Sequence, residues 1–283
     1  MREAMLRTTV LAAAVAVAGF ASVASADVLW DNGPLGTGTL TRSNGTGGPG
    51  VAAPAGSEWS ELFEGNTSAG ASVHPSGTLG NFRLADDFTL PAAADLTSIT
   101  AFAYMTGSPD ANLFTTGNIR IWDGRPGDVG SNIVFGDTTT DRLTSSALTN
   151  IYRVFGTTAA AGGTASVPGT TRRIKTAVFD VSGLTLPAGT YWIDYQISPV
   201  SPAVSVFNPS VTLTTGRGRA GDNARQLTAA TTWSDLLDTG NPGTLPDVPQ
   251  DLPFIVEGVI PEPAGLAVLG AGAVLVIRRR RQG

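Results

Sequence analysis

Between residues 27 and 258 no segment of this chain holds an apolar repeat of helical period over a dozen residues, and that absence narrows the fold more than any motif does. What the region carries instead is short runs of β-branched and aromatic residues, each closed by Gly, Pro, Asn or Asp. The clearest are 118–122, 176–181 and 190–197. Similar runs fall at 28–31, 82–90, 98–105, 133–135, 151–155, 204–207, 211–213, 232–234 and 253–257. Close spacing of such strands, with 35 glycines and 18 prolines in the chain, predicts an all-β fold, a β-sandwich of the jelly-roll type. The Gly-, Ser- and Thr-rich stretches 33–56 and 157–171 read as solvated surface loops. Residues 241–251 read as a proline-punctuated crossing before the last strand.

The chain has no cysteine, so no disulfide framework supports this sandwich and stability must come from core burial. Thiol nucleophiles and thiolate metal sites are excluded with it. The region is long enough for one large domain or two small ones, and the absence of an obvious internal linker favours one. Setting aside Arg2, Arg7, Glu3 and Arg278 to Arg281 takes the chain's 18 basic and 23 acidic residues to 12 and 22, a net charge of −10. A body so acidic repels nucleic acid and anionic membranes.

The two ends have a different character. Arg2 and Arg7 form a positive region, 10–23 is an alanine-rich apolar run, and Ala24-Ser25-Ala26 supplies small residues at the spacing of a signal-peptide cleavage site. Residues 1–26 are therefore expected to address the chain to the Sec translocon and to be removed, leaving Asp27 first. At the other end, Pro261-Glu262-Pro263 precedes an uncharged run of Ala, Gly, Leu, Val and Ile over 264–277, and then Arg278, Arg279, Arg280 and Arg281. An uncharged run of this kind is expected to be a transmembrane helix, since hydrocarbon forces backbone groups to bond internally. Four arginines resist translocation and stay cytoplasmic. The 14 residues of 264–277 rise only about 21 Å as a helix, against about 30 Å of hydrocarbon, so the span suits a segment held briefly and then cut away.

Pro261-Glu262-Pro263, a short apolar helix and a terminal arginine cluster, in this order, resemble the PEP-CTERM sorting signal over residues 259–283. That resemblance implies a membrane-embedded exosortase that cleaves near the Pro-Glu-Pro and passes the protein to the cell surface or the extracellular space. The expected organisation is thus 1–26 signal peptide, 27–258 β-sandwich domain, 259–283 sorting signal. Within the body, Asp86-Asp87-Phe88, the run from Ile119 to Gly124, Val134-Phe135-Gly136-Asp137 and the run from Leu186 to Trp192 resemble uncharacterised secreted β-sandwich proteins of bacterial surfaces. No activity comes with that second resemblance.

Residues able to carry chemistry are few. His74 is the only histidine, and it stands before Pro75 in a Gly/Ser/Asn setting where a solvated loop residue is the expected role; no Gly-x-Ser-x-Gly elbow accompanies it. Zinc sites lack ligands for the same reason. Asp86 and Asp87 are adjacent in a strand and point to opposite faces, one toward solvent and the other toward a turn or an arginine such as Arg83. The segment 123–128, with Asp123 and Asp128, reads first as a turn and second as an oxygen-rich calcium loop. Exposed aromatics mark carbohydrate-binding faces, because sugar rings stack on flat apolar surfaces. Trp59 and Trp233 lie in the most polar surroundings of the five tryptophans and are the candidates for that role, whereas Trp122 and Trp192 read as core on at least one face.

Two functions fit. The first is a non-enzymatic protein of the cell surface or extracellular matrix that binds polysaccharide. The second is a secreted carbohydrate-active hydrolase that works through Asp and Glu alone, for which two carboxylates must face each other across a cleft.

Overall fold

A computed structural model describes residues 26–42, 48–61, 63, 65–75, 80–107, 113–154, 168–201, 204–228, 232–240 and 243–261. Ala24, Glu262, Pro263, Arg278 to Arg281 and the apolar run 264–277 lie outside them, as does most of the loop 157–171. Ala26 and Pro261 are described, and both are exposed. Among the described residues no helix is long and apolar enough to cross a membrane.

The body is all-β. Its strands are β1 (Asp27–Asp31), β2 (Glu58–Glu61), β3 (Ala71–Ser72), β4 (Arg83–Leu90), β5 (Ala94–Ala103), β6 (Thr116–Trp122), β7 (Ile133–Gly136) and β8 (Leu143–Val154). They continue with β9 (Arg173–Leu186), β10 (Gly189–Ser198), β11 (Phe207–Asn208), β12 (Arg225–Leu227), β13 (Trp233–Asp235), β14 (Leu237–Asp238), β15 (Val248–Pro249) and β16 (Phe254–Val259). One six-stranded sheet runs β1-β16-β5-β9-β8-β2 and a second runs β13-β12-β4-β10-β6-β7. Every neighbour pair in them is antiparallel except β2 with β8. The chain passes repeatedly between the sheets, and its first strand pairs with its last.

Period-two alternation sorts the side chains. Leu84, Phe88 and Leu90 of β4, Ile119 and Ile121 of β6, and Ile193, Tyr195 and Ile197 of β10 join Leu96, Ile99, Ala101, Ala177, Phe179, Phe254 and Val256 of the other sheet in one buried cluster. The sheets share a core, an arrangement consistent with a β-sandwich. Tyr191 lies against Phe88 on the core side, whereas Trp192, one residue on, faces outward beside Trp122. Gly136 closes β7 where only glycine fits: its φ is 77°, and a Cβ there would stand 2.1 Å from the Ile119 carbonyl oxygen.

Expectations at three places are corrected. Residues 36–42 are not solvated filler: Thr37 N–H donates to the Trp59 carbonyl at 2.7 Å, and Trp59 N–H donates to the Gly38 carbonyl at 2.9 Å, so the segment lies along β2. Of the run expected at 151–155, residues 151–154 are the end of a strand beginning at Leu143, whose first half carries Thr144, Ser145 and Ser146 and is exposed or half-buried, because the ladder with β9 holds it. The run 211–213 is not a strand.

Candidate functional site

The outward face of the second sheet gathers polar and aromatic side chains that alternation lifts off the core. Registers place Arg120 opposite Asp194, Asn118 opposite Gln196 and Trp122 opposite Trp192, while Ala85 stands opposite both Asp194 and Arg225. Asp194 has no exposure and is the hub. It accepts from Arg83 Nε at 2.5 Å, from Arg120 Nε at 2.6 Å and from the Trp122 indole N–H at 3.1 Å, with a further short contact from Arg120 Nη2. Arg83 also donates to the Asn118 side-chain oxygen and to the Asp194 carbonyl. Burial lowers the pKa of Arg83, against the pull of the Asp194 charge, and the Arg120 guanidinium lowers it further. Arg120 lies 5.0 Å from the centre of the Trp122 ring, and Arg125 lies 5.9 Å from that of Trp192.

Beside this hub is an open groove of about 560 Å³, lined by Pro75, Asn81, Arg83, Arg120, Thr138, Gln196 and Leu227. Gln196 is fixed at its floor by donating to the Asn81 side-chain oxygen at 2.6 Å and to the Phe82 carbonyl at 2.9 Å. Leu227 pairs with Trp233 across β12 and β13, which places that half-buried residue on the same outward face. The groove therefore combines an apolar wall, amide and hydroxyl groups and a guanidinium pair.

The sequence candidates are distributed unevenly about this site. Trp233 belongs to the face. Trp59 does not: it is 2% exposed, its indole N–H donates to the Val51 carbonyl at 3.0 Å and its ring packs edge-on against Tyr152. The polar residues around Trp59 in sequence hid its burial, which the segment 36–42 produces from outside. Asp123 accepts from the Asn132 N–H at 2.6 Å, whereas Asp128 pairs with Arg225 at 3.3 Å, so the two carboxylates of the expected calcium loop serve different partners. Among the described residues no group of three or more His, Cys, Asp or Glu is placed to hold a metal ion. Backbone bonds from Asp128 N–H to the Arg125 carbonyl and from Ser131 N–H to the Asp128 carbonyl make this loop a turn.

His74 corrects its expectation. It is 1% exposed, its Nδ1 lies 3.2 Å from both the nitrogen and the oxygen of Val206, and its ring packs on Phe82. Its other nitrogen has no hydrogen-bond partner among the described residues. Asp86 is the second correction: the chain neighbour Arg83 binds Asp194 instead, and Asp86 faces the core side of the sheet, opposite Ile193. There it accepts from Asn32 Nδ2 at 3.0 Å, Leu252 N–H at 2.7 Å and Asp87 N–H at 2.9 Å. Burial, reinforced by the Asp251 charge, pushes its carboxyl well above the ordinary range in spite of those donors.

A second cleft, about 430 Å³, lies at the end of the sandwich where β1 meets β4. Asp31, Asp87 and Asp251 line it together with Trp30, Asn223 and Arg219. Arg219 ties it shut from below, donating to Asp222, Asp251, the Asn32 side-chain oxygen and the Gly33 carbonyl. Burial raises the Asp87 carboxyl, against a hydrogen bond from Asn223 and with help from the Asp251 charge. Neither cleft was legible beforehand, because Arg83, Arg120 and Asp194 are far apart in sequence and only strand register unites them. Comparison of the chain with protein-family models, with curated proteins and with solved structures finds no match.

Proposed function

We propose that this chain is an exported protein of the PEP-CTERM kind whose domain reaches the cell surface or extracellular matrix and binds polysaccharide there without turning it over. Residues 1–26 take it through the Sec translocon, and cleavage follows Ala24-Ser25-Ala26. The tail, with Pro261, Glu262, Pro263 and Arg278 to Arg281, holds it in the inner membrane until an exosortase processes it. One register supports this order of events: Asp27, the first residue after the expected cut, pairs with Gly258. The two processed ends leave the body side by side, so a single membrane surface can hold both.

The observation that carries the binding reading is the outward sheet face, where the half-buried Trp122 and Trp233 accompany Asn118, Gln196, Arg83 and Arg120 beside an open groove, with Trp192 buried beneath Arg125. Aromatic faces supply stacking, and the fixed amides and guanidinium groups supply donors for hydroxyls. The strand order supports a jelly-roll assignment for the sandwich, since β1-β16-β5-β9 and β4-β10-β6-β7 form two four-stranded sets, with β2, β8, β12 and β13 added at the edges. Binding is tested on a glycan array with the full chain in mild detergent: retention of polysaccharide is expected, and no retention of any glycan refutes the reading. For the sorting route, mass spectrometry of the protein from its host is expected to show a start at Asp27 and a loss of the tail. A C-terminus still ending at Gly283 refutes it.

The convergence of Asp31, Asp87 and Asp251 in the second cleft favours one other reading, a secreted carbohydrate-active hydrolase. There Asp87, its carboxyl raised by burial, serves as proton donor to a glycosidic oxygen. Turnover of a glycoside panel that D87N abolishes while leaving the fold intact supports this alternative; no turnover by the wild-type chain ends it.

A further inference from the structure

The guanidinium groups at the groove outnumber the acid that holds them. Arg83 and Arg120 share the single carboxylate of Asp194, and neither pairs with a second acid among the described residues. Among the described residues no Asp or Glu lines the groove itself. Two full positive charges against one negative leave a net positive centre in a body whose overall charge is −10, and low-dielectric walls concentrate its field toward the opening. The side chain of Arg83 is 4% exposed and that of Arg120 14%, so Arg83 supplies charge from beneath while Arg120 reaches the groove. Arg120 uses Nε and Nη2 on Asp194, and its Nη1 has no protein acceptor among the described residues. A planar donor already oriented by a carboxylate and by the Trp122 ring is suited to a second carboxylate on its free edge.

We propose that the groove selects acidic polysaccharide, with the carboxylate of a uronate residue on Arg120 and neighbouring hydroxyls on Asn81, Gln196 and Thr138. The inference rests on the polysaccharide-binding reading and specifies its ligand class. An acidic body otherwise repels an acidic polymer, so recognition must be local to this face, and its strength must fall with salt.

The test is affinity electrophoresis and calorimetry of the full chain in mild detergent with polygalacturonate, with neutral dextran of matched length, and with free galacturonate and inorganic phosphate. Polygalacturonate is expected to bind at least about tenfold more tightly than dextran, the range of one charge-assisted hydrogen-bond pair, and to weaken as salt is raised. R120Q is expected to bring polygalacturonate down to the level of dextran, while R120K, which keeps the charge, retains most of the difference. R173Q, on the other sheet, is expected to leave both unchanged. Circular dichroism checks that each variant is folded, and if R120Q fails to fold, the salt dependence and R120K decide the matter. Equal binding of dextran and polygalacturonate overturns the charge selection while leaving the broader reading intact. Binding of neither polymer overturns both. Displacement of polygalacturonate by phosphate as effectively as by galacturonate reduces the site to a general anion site and overturns the assignment to a saccharide.

Discussion

Replacing Asp194 by Asn removes the only negative charge at the hub of the outer face while keeping its size. One carboxylate oxygen serves Arg83 Nε, and the other serves Arg120 and the Trp122 N–H. An amide offers one acceptor oxygen and turns an NH2 group toward the remaining donors. If the oxygen stays with Arg83, whose side chain is 4% exposed, then Arg120, at 14%, loses its partner but can lean toward water. If it stays with Arg120, a nearly inaccessible guanidinium is left uncompensated. The first arrangement costs less, so it dominates. Breaking a buried ion pair by removing one partner costs about 3–5 kcal/mol, and escape of Arg120 to water puts D194N near the lower end, about 3 kcal/mol. For a domain of this size that is a fall in Tm of roughly 6–12 °C. Urea unfolding followed by tryptophan emission, with the slope of the transition unchanged, measures it directly. Adding R120Q to D194N is expected to cost less than the sum of the two single losses, because the surplus charge leaves with Arg120. A loss below about 1 kcal/mol, the range of an exposed ion pair, or strict additivity would refute the idea of a buried hub.

Three further outcomes follow from the same structure. Because burial holds the folded Asp86 carboxyl above its unfolded value, the native state keeps that proton more tightly; the contribution of this group to stability is therefore greatest at low pH and falls as pH rises from about 4, flattening once the folded group has ionised. Asp87 and Asp222 shift in the same direction, whereas hydrogen bonds hold Asp137 and Asp180 below the ordinary range and act in the opposite sense, so D86N is expected to make the urea midpoint fall less, or rise more, with pH than in the wild-type chain. G136A is expected to lose at least about 2 kcal/mol, since its Cβ meets the Ile119 carbonyl at 2.1 Å, whereas G130A, at a φ of 92° with open space around it, loses about 1 kcal/mol; equal losses in equilibrium unfolding would remove the clash from the account. W59A is expected to cost about 3–5 kcal/mol of stability and to leave glycan binding unchanged, whereas W233A costs about 1 kcal/mol and weakens binding on the array. The reverse pattern would restore Trp59 to the ligand face.

Much of the strand content was readable in advance, because alternation and punctuation are local. The runs 118–122, 190–197 and 82–90 sit inside β6, β10 and β4 nearly residue for residue. Polar strands were not readable: the first half of β8, with Thr144, Ser145 and Ser146, has no apolar period and exists because β9 offers it a ladder. Short β3, β11, β14 and β15 are likewise products of tertiary pairing. Local polarity misled at two places. Trp59, flanked by Ser and Glu, is buried by a remote loop, and His74, before a proline in a polar stretch, is enclosed beside Val206 and Phe82.

The sequence by itself determined that this body must be all-β, since a side-chain period of two is a property of each short run, and it set the acidic charge and the absence of disulfides. The readings of the two ends also rest on sequence, through local patterns of charge, small residues and apolar length. Only the tertiary structure decided which side of each strand meets the core, that the first strand lies beside the last, and that Arg83, Arg120 and Asp194 converge. The physical reason is that strand register is fixed by nonlocal packing: a slip of one residue exchanges core and outward faces, and nothing within a single run records which neighbour will hold it in place.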